Sequence, residues 1–168
     1  GWLAPTNLGG SGFDTLTYMI GMEGLGYGCN NNGLLFALNA HILSVQMDVI
    51  RYGSDEHLEQ FASKLISGEW VGANGMTEPE TGSDCYNLST TAERKGDVYI
   101  LNGRKSMITN APVADMFIIY ATVNKAKGFM GVTAFLVEKD TPGLEVGPPF
   151  HKMGLKTAPM SMLHLNDC

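Results

Sequence analysis

Cysteine, basic charge and long apolar runs are all scarce in this sequence, and each scarcity narrows what the chain can do. Only three cysteines occur, Cys29, Cys85 and Cys168, far apart and with no CxxC pair. Reduced thiols in a cytoplasm-like compartment are the simplest reading, and the four histidines (His41, His57, His151, His164) share no metal-ligand spacing. Lys and Arg number 11 against 17 Asp and Glu, a net charge of −6. With no basic block, nucleic acid is not an expected partner, although net charge says nothing about one local phosphate pocket. The longest apolar stretches, such as Phe117 to Val123, fall well short of the ~20 residues that a membrane span needs. The opening GWLAPTNLGGSGF has neither a charged n-region nor an apolar h-region, so no signal peptide is expected there. Internal repeats and low-complexity linkers are missing as well.

What remains is a globular composition, 44% hydrophobic and 17% charged, whose patterning changes near residue 70. Before it, apolar residues recur at three and four: Leu16, Met19 and Ile20, then Leu34, Leu35, Leu38, Ile42, Val45 and Val49. That is the period of helices with one buried face. Asp14 is placed to cap the first, the Asn run in Cys29–Gly33 to cap the second, and Ser54 to open a third that runs to Gly68. His57, three residues after Ser54, is not the residue of a capping box, so a simple cap is expected. After residue 70 the signals are short strands. Val98–Leu101 follows a Gly96-Asp97 turn, and Asn102-Gly103 is a strong hairpin signal before Lys105–Thr109. Phe117–Val123, Gly131–Val137, Leu144–Val146 and Leu163–Leu165 follow, with a turn at Asp140–Gly143. Strands joined by turns rather than helices argue against βαβ units. The fold class is α+β: an α-helical segment over residues 1–70, then an antiparallel β-barrel-like domain over residues 71–168. The barrel is expected to be unfinished, since nothing follows the last strand.

Two stretches are candidates for chemistry. In Gly75–Asp84 the chain turns sharply, Pro79 fixing one φ and Gly82 permitting a positive one, while Thr77, Thr81 and Ser83 supply hydroxyls. Such a turn presents donors to an anion or a cofactor's polar edge; equally, it is only a polar turn, and it is neither a Walker loop nor a dinucleotide fingerprint. In Lys105–Pro112, strand alternation sets Met107 and Thr109 on one face and Ile108 on the other. A thioether beside a hydroxyl suits a flat, partly polar ligand, whereas core filling by Met107 fits the spacing as well.

A family resemblance separates these readings. GMTEPETGSD resembles the signature of acyl-CoA dehydrogenases, and KSMITNA resembles their second flavin-contacting strand, usually an aromatic followed by Ile-Thr-Asn. TAFLVEKDTPGLEVG and KMGLKTAPM follow in the family's order, and the helical part from GMEGLGYG through HILSVQMDVIRYGSDE fits too. The resemblance implies an internal piece of an α/β/α three-domain fold, and FAD as cofactor. Carried over, Met76 and Thr77 would lie along the flavin ring, Gly82 and Ser83 would approach the pyrophosphate, Met107 would pack on the ring face, and Thr109 would sit at the N5 edge. Ser83 is also a substrate-binding candidate. The implied reaction is α,β-dehydrogenation of an acyl-CoA to a 2-enoyl-CoA, as in fatty acid metabolism, with electrons passed to an electron-transfer flavoprotein. The catalytic Glu is expected beyond Cys168, and Glu78 is expected to hold its loop through backbone hydrogen bonds. The 168 residues alone are therefore expected to be inactive. A homotetramer is implied, cytoplasmic or in the mitochondrial matrix of a eukaryote.

Three departures bear on substrate: Met107 replaces the usual aromatic, Asn74 an aromatic of some relatives, and Asn87 a small residue. None removes a hydrogen-bonding hydroxyl. Alternatives are a dehydrogenase acting on an acyl-carrier-protein thioester, an oxygen-using flavoprotein relative, and a non-catalytic homologue acting as a binding protein.

Overall fold

The computed structural model describes residues 1–168. Helix α1, Thr15–Gly28, is capped by Asp14, whose carboxylate accepts the Thr17 N–H at 2.7 Å. Helix α2, Asn32–Tyr52, is capped by Asn31, which accepts the Leu34 N–H at 3.1 Å. A third helical stretch, α3, covers residues 55–67 and stops at Gly68, whose φ of 81° suits a residue without Cβ. At Ser54 the cap is reciprocal. Ser54 Oγ accepts the His57 N–H while His57 Nδ1 accepts the Ser54 N–H, both at 3.3 Å. The expectation of a simple cap is thus corrected: a neutral imidazole nitrogen is an acceptor and does the work of the usual Glu or Gln.

Helices α2 and α3 each contain a π turn, at Ile42–Gln46 and Leu58–Ala62, which shifts the faces that follow. The apolar stripe expected as one buried face is split accordingly. Val45 and Val49 are buried, whereas Leu34 and Leu38 are exposed. Helix α1 buries only Tyr18 and leaves Leu16, Met19 and Ile20 more than half exposed. As one rod, α2 has 21 residues and a mean hydropathy of 1.4, long and apolar enough to cross a membrane by length and composition. No unbroken apolar run announced that length, so the expectation that nothing reaches it is corrected. In this fold, the C-terminal half of α2 packs on the sheet.

The strands are β1 Gly72–Gly75, β2 Thr91–Lys95, β3 Val98–Thr109, β4 Met116–Thr122, β5 Val132–Glu138, β6 Leu144–Val146 and β7 Met160–Leu165. They form one curled sheet in the order β1-β4-β2-β3-β7-β6, with β5 also on β4. Most pairs are antiparallel, but β1 runs parallel to β4, and Thr91 pairs in parallel with Thr122. The sheet is therefore mixed rather than wholly antiparallel; the β2–β3 hairpin between β1 and β4 is the long crossover that a parallel pair requires. That hairpin turns at Gly96-Asp97, with Lys95 paired to Val98. Asn102-Gly103 does not turn, and β3 runs straight through it. Asn102 instead exchanges hydrogen bonds with Asp167, at 3.0 and 2.9 Å. Gly103 lies so near Thr90 that a Cβ would stand 2.7 Å from its Cα, so the glycine serves close packing.

Strand β4 is buried on both faces, which explains its unbroken apolar sequence. Phe117, Ile119 and Ala121 enter the core inside the curl with Leu101, Ile108, Leu163 and Leu165. Met116 and Ile118 pack outward on Val45, Val49, Phe61 and Leu65 of the helices.

His41 is the polar tie between the layers. Its Nε2 donates to the Leu65 carbonyl and its Nδ1 accepts the Gly72 N–H, both at 3.0 Å, so the ring is neutral and joins α2, α3 and β1. Burial lowers its pKa below the ordinary 6.5, against the raising effect of the Leu65 carbonyl. A depressed folded pKa means that the stabilisation is complete above 6.5 and is lost as pH falls through the folded value. Unfolding free energies from urea titrations are expected to decline from about pH 7 toward about pH 5. The decline is expected to be shallower in His41→Gln, whose amide still donates and accepts; an unchanged slope would place its origin elsewhere.

Candidate functional site

Strand β1 delivers the chain into the loop that carries Met76 and Thr77, and a buried ion pair fixes that loop from below. Glu78 accepts the backbone N–H groups of Ser89 and Thr90 at 2.6 and 2.9 Å, and the Lys105 ammonium at 2.9 Å. Both side chains are almost wholly removed from solvent. Lys105 Nζ also donates to the Met76 carbonyl at 3.2 Å. Burial alone raises the carboxyl pKa of Glu78, but the hydrogen bonds from Thr90, Lys105 and Ser89 outweigh it and bring the net value below 4.5. Glu78 is therefore an anchor, as the sequence suggested, and its lone pairs are already taken. Glu78–Thr81 closes as a tight turn through reciprocal backbone bonds at 3.0 and 3.3 Å. The Thr81 hydroxyl points inward at Glu78 and is not a ligand donor. Gly82 does not use a positive φ, contrary to expectation. Open space surrounds the position of its missing Cβ.

The second strip is built by an irregularity in β3. Its register against β7 shifts between Lys105 and Ile108, and Met107 takes a φ of 58°. A bulge of this kind lifts one residue out of the ladder, and a positive φ at a residue other than glycine marks a conformation held by its surroundings. Met107 is 64% exposed, which excludes core filling. Lys105 and Ile108 both stay buried although they are three apart, so simple alternation fails here. Ser106 N–H donates to the Thr77 carbonyl at 2.9 Å, binding the bulge to the first loop.

Met107 and Thr109 line a cavity of about 440 Å³ together with Phe36, Asn39 and Ser44 of α2 and Asn74 of β1. Asn110, in a left-handed conformation, donates to the Ala37 carbonyl at 2.9 Å and so holds α2 across the end of β3. The structure thus brings Met76, Thr77, Met107 and Thr109 into one neighbourhood, while Gly82 and Ser83 sit exposed on the turn beyond it. The backbone N–H groups of Thr77, Gly82 and Ser83, and the hydroxyls of Thr77, Ser83 and Thr109, have no protein partner. Free donors beside an exposed thioether and an open glycine fit a flat ring with a polar edge and a phosphate-bearing tail. Lys105, Asn110 and the α2 residues escaped the sequence reading. No local signal marks a lysine in a strand as buried, and only long-range pairing reveals the other contacts.

Removing one partner of the buried pair strands the other charge. Lys105→Met and Glu78→Gln are each expected to cost about 3–5 kcal/mol, with the double variant costing less than the sum. A urea-denaturation double-mutant cycle measures this, and simple additivity would deny the coupling. The contribution of Glu78 is present above 4.5 and is lost as pH falls through its depressed folded value.

Residues 1–69 match the acyl-CoA dehydrogenase N-terminal domain, and residues 73–168 match the acyl-CoA dehydrogenase middle domain. An L-prolyl-[peptidyl-carrier protein] dehydrogenase from a Serratia species is 45% identical, over 95% of this chain and 41% of that protein. The mitochondrial isovaleryl-CoA dehydrogenase of Pongo abelii is 38% identical, over 100% of this chain and 40% of its own length. Among solved structures, the prolyl acyl carrier protein oxidase AnaB superposes with a TM-score of 0.98 at 46% identity, covering 100% of this chain and 44% of that one. PigA with FAD and proline gives 0.96 at 43% identity, covering 99% and 43%. The chain spans about two fifths of the length of these relatives. With its helical and β portions both matched, the chain belongs to the acyl-CoA dehydrogenase family.

Proposed function

We propose that this chain forms the middle of an FAD-dependent dehydrogenase acting on an acyl thioester tethered to a carrier protein, with a prolyl group as the acyl part. The observation that carries the flavin reading is the exposed Met107 beside the half-buried Thr109, both facing α2 across a cavity, with free donors on the adjoining loop. Carrier-protein attachment is favoured over coenzyme A by the relatives. Those at 45% and 39% identity are L-prolyl-[peptidyl-carrier protein] dehydrogenases, whereas acyl-CoA enzymes stand at 38% and below among those compared.

Bound FAD supplies the two-electron acceptor for α,β-dehydrogenation. The residues of this chain that would hold it are Met107 against the ring face, the Thr77 and Thr109 hydroxyls at its polar edge, and the N–H groups of Gly82 and Ser83 at the phosphates. Preoriented donors at the edge where charge develops stabilise the reduced state. No carboxylate lines the cavity, and Glu78 is committed to Ser89, Thr90 and Lys105. The base that takes the α proton therefore comes from outside these residues, and the 168 residues expressed alone are expected not to turn over. The same reading has a cytoplasmic homotetramer and either an electron-transfer flavoprotein or oxygen as the final acceptor. A purely binding homologue is disfavoured by the retained Thr77, Ser83 and Thr109.

The test is the visible spectrum of the purified protein containing this chain, under anaerobic addition of prolyl-loaded carrier protein or of acyl-CoAs. Bleaching with the prolyl carrier alone is expected. Bleaching only with acyl-CoAs would return the substrate to coenzyme A, and a colourless protein would end the flavin reading. Thr109→Val is expected to keep the flavin but slow bleaching about 10- to 100-fold, as for loss of one positioned donor. An unchanged rate would remove Thr109 from the site.

A further inference from the structure

The cavity beneath Met107 and Thr109 has a lining that a hydrocarbon chain does not explain. Asn39, Ser44, Asn74 and Thr109 are four of its seven lining residues, and no charged group is among them. Acyl pockets for aliphatic groups are walled mainly by apolar side chains, and a half-buried wall that is mostly polar would have to give up water to such a chain without a bond in return.

The hydrogen-bond pattern indicates which polar function is missing. Asn74 spends its amide N–H on the Ser44 carbonyl at 2.9 Å, inside the π turn of α2, which fixes the amide orientation. Asn74 also sets its amide against the Tyr120 hydroxyl as an N–H donor, which leaves Oδ1 with no hydrogen bond from the protein. Ser44 gives its hydroxyl hydrogen to the Ala40 carbonyl, so its own oxygen is left as an acceptor. Asn39 is different: its Oδ1 accepts the Tyr18 hydroxyl at 2.6 Å and its amide donates to the Leu35 carbonyl at 2.9 Å, so it is held in place by the protein. Two neutral acceptors therefore line one cavity from two elements, Asn74 on β1 and Ser44 on α2.

We infer that Asn74 Oδ1 and Ser44 Oγ form a subsite for the N–H of an α-aminoacyl thioester, so that this cavity selects an amino acid over a hydrocarbon acyl group of the same shape. The inference rests on the dehydrogenase reading above and adds the residues that choose the acyl group. Asn74 contributes both ends of its amide. One half braces the π turn and the other faces substrate, so the same contact that shapes α2 sets the acceptor. A hydrocarbon isostere would leave both oxygens desolvated and unbonded, and discrimination by polar sites arises from that penalty.

The experiment uses the full-length FAD-loaded protein and two carrier-bound thioesters, L-prolyl and cyclopentanecarbonyl, which differ only in one ring N–H replaced by CH₂. The wild type is expected to favour prolyl in kcat/KM by about 10-fold or more. Asn74→Leu and Ser44→Ala are each expected to reduce that preference about 3- to 10-fold. Dissociation constants of both thioesters with the flavin-free protein, measured by calorimetry, are expected to shift in the same ratio. General damage to the fold lowers both substrates together and leaves the ratio alone, and Ser44→Ala keeps the question answerable if Asn74→Leu folds poorly. A preference unchanged in both variants, or no preference in the wild type, overturns the subsite. If neither carrier-bound thioester reacts, the carrier reading fails instead; the same two acyl groups on coenzyme A then decide the subsite by the same ratio.

Discussion

The buried pair of Glu78 and Lys105 is the contact around which this half-barrel is organised. One carboxylate gathers the N–H groups of Ser89 and Thr90 and the ammonium of Lys105, and that ammonium also takes the carbonyl of Met76. The loop after β1, the lead-in to β2 and the middle of β3 therefore meet at a single charge. Two ions removed from water persist only when their remaining hydrogen-bonding capacity is filled, and here it is filled by backbone whose position is thereby set. The loop bearing Met76 and Thr77 is held in place by the bonds on its underside rather than by any stiffness of its sequence.

The same lysine explains the bulge. With Lys105 drawn inward to Glu78 and Ile108 drawn inward to the core, the two residues between them cannot both keep the alternation of a strand. Ser106 turns its N–H to Thr77, and Met107 is left in the left-handed region, standing out over the cavity. An exposed thioether beside Thr109 is thus a consequence of burying a charge two residues earlier. Across the cavity, α2 is fixed by unrelated contacts: His41 to Gly72, Asn74 to Ser44, and Asn110 to Ala37. Each is a polar bond between a helix and the sheet, and together they define a site whose walls belong to both layers. The packing of β4, with one face on the barrel core and the other on Val45, Val49, Phe61 and Leu65, keeps those layers from sliding.

For function, this division has a clear meaning. The β portion offers free donors and the exposed Met107, whereas the helical portion contributes Phe36, Asn39 and Ser44 to the facing wall of the cavity. A flavin reading draws on the first and a substrate reading on the second. Asn74 belongs to both, because it lies on β1 next to the loop of Met76 and Thr77 and bonds to the helix.

Helix starts, the β4 and β5 strands, the turn at Gly143 and the pattern of GMTEPETGSD were legible in the sequence, because each depends on neighbours within a few residues. Asp14 and Asn31 cap what they precede, and Phe117–Thr122 is apolar wherever the strand is placed. The hairpin was misplaced at Asn102-Gly103 because a dipeptide's turn preference is weaker than the pairing of Asn102 with Asp167 and the contact of Gly103 with Thr90. Likewise, the π turns, the imidazole cap at Ser54 and the burial of Lys105 gave no local signal. The sequence by itself determined the two-part α+β order, the family resemblance and which hydroxyls are available. The tertiary structure decided which of them face a common cavity, since that depends on a register shift created by an ion pair 27 residues apart in the chain.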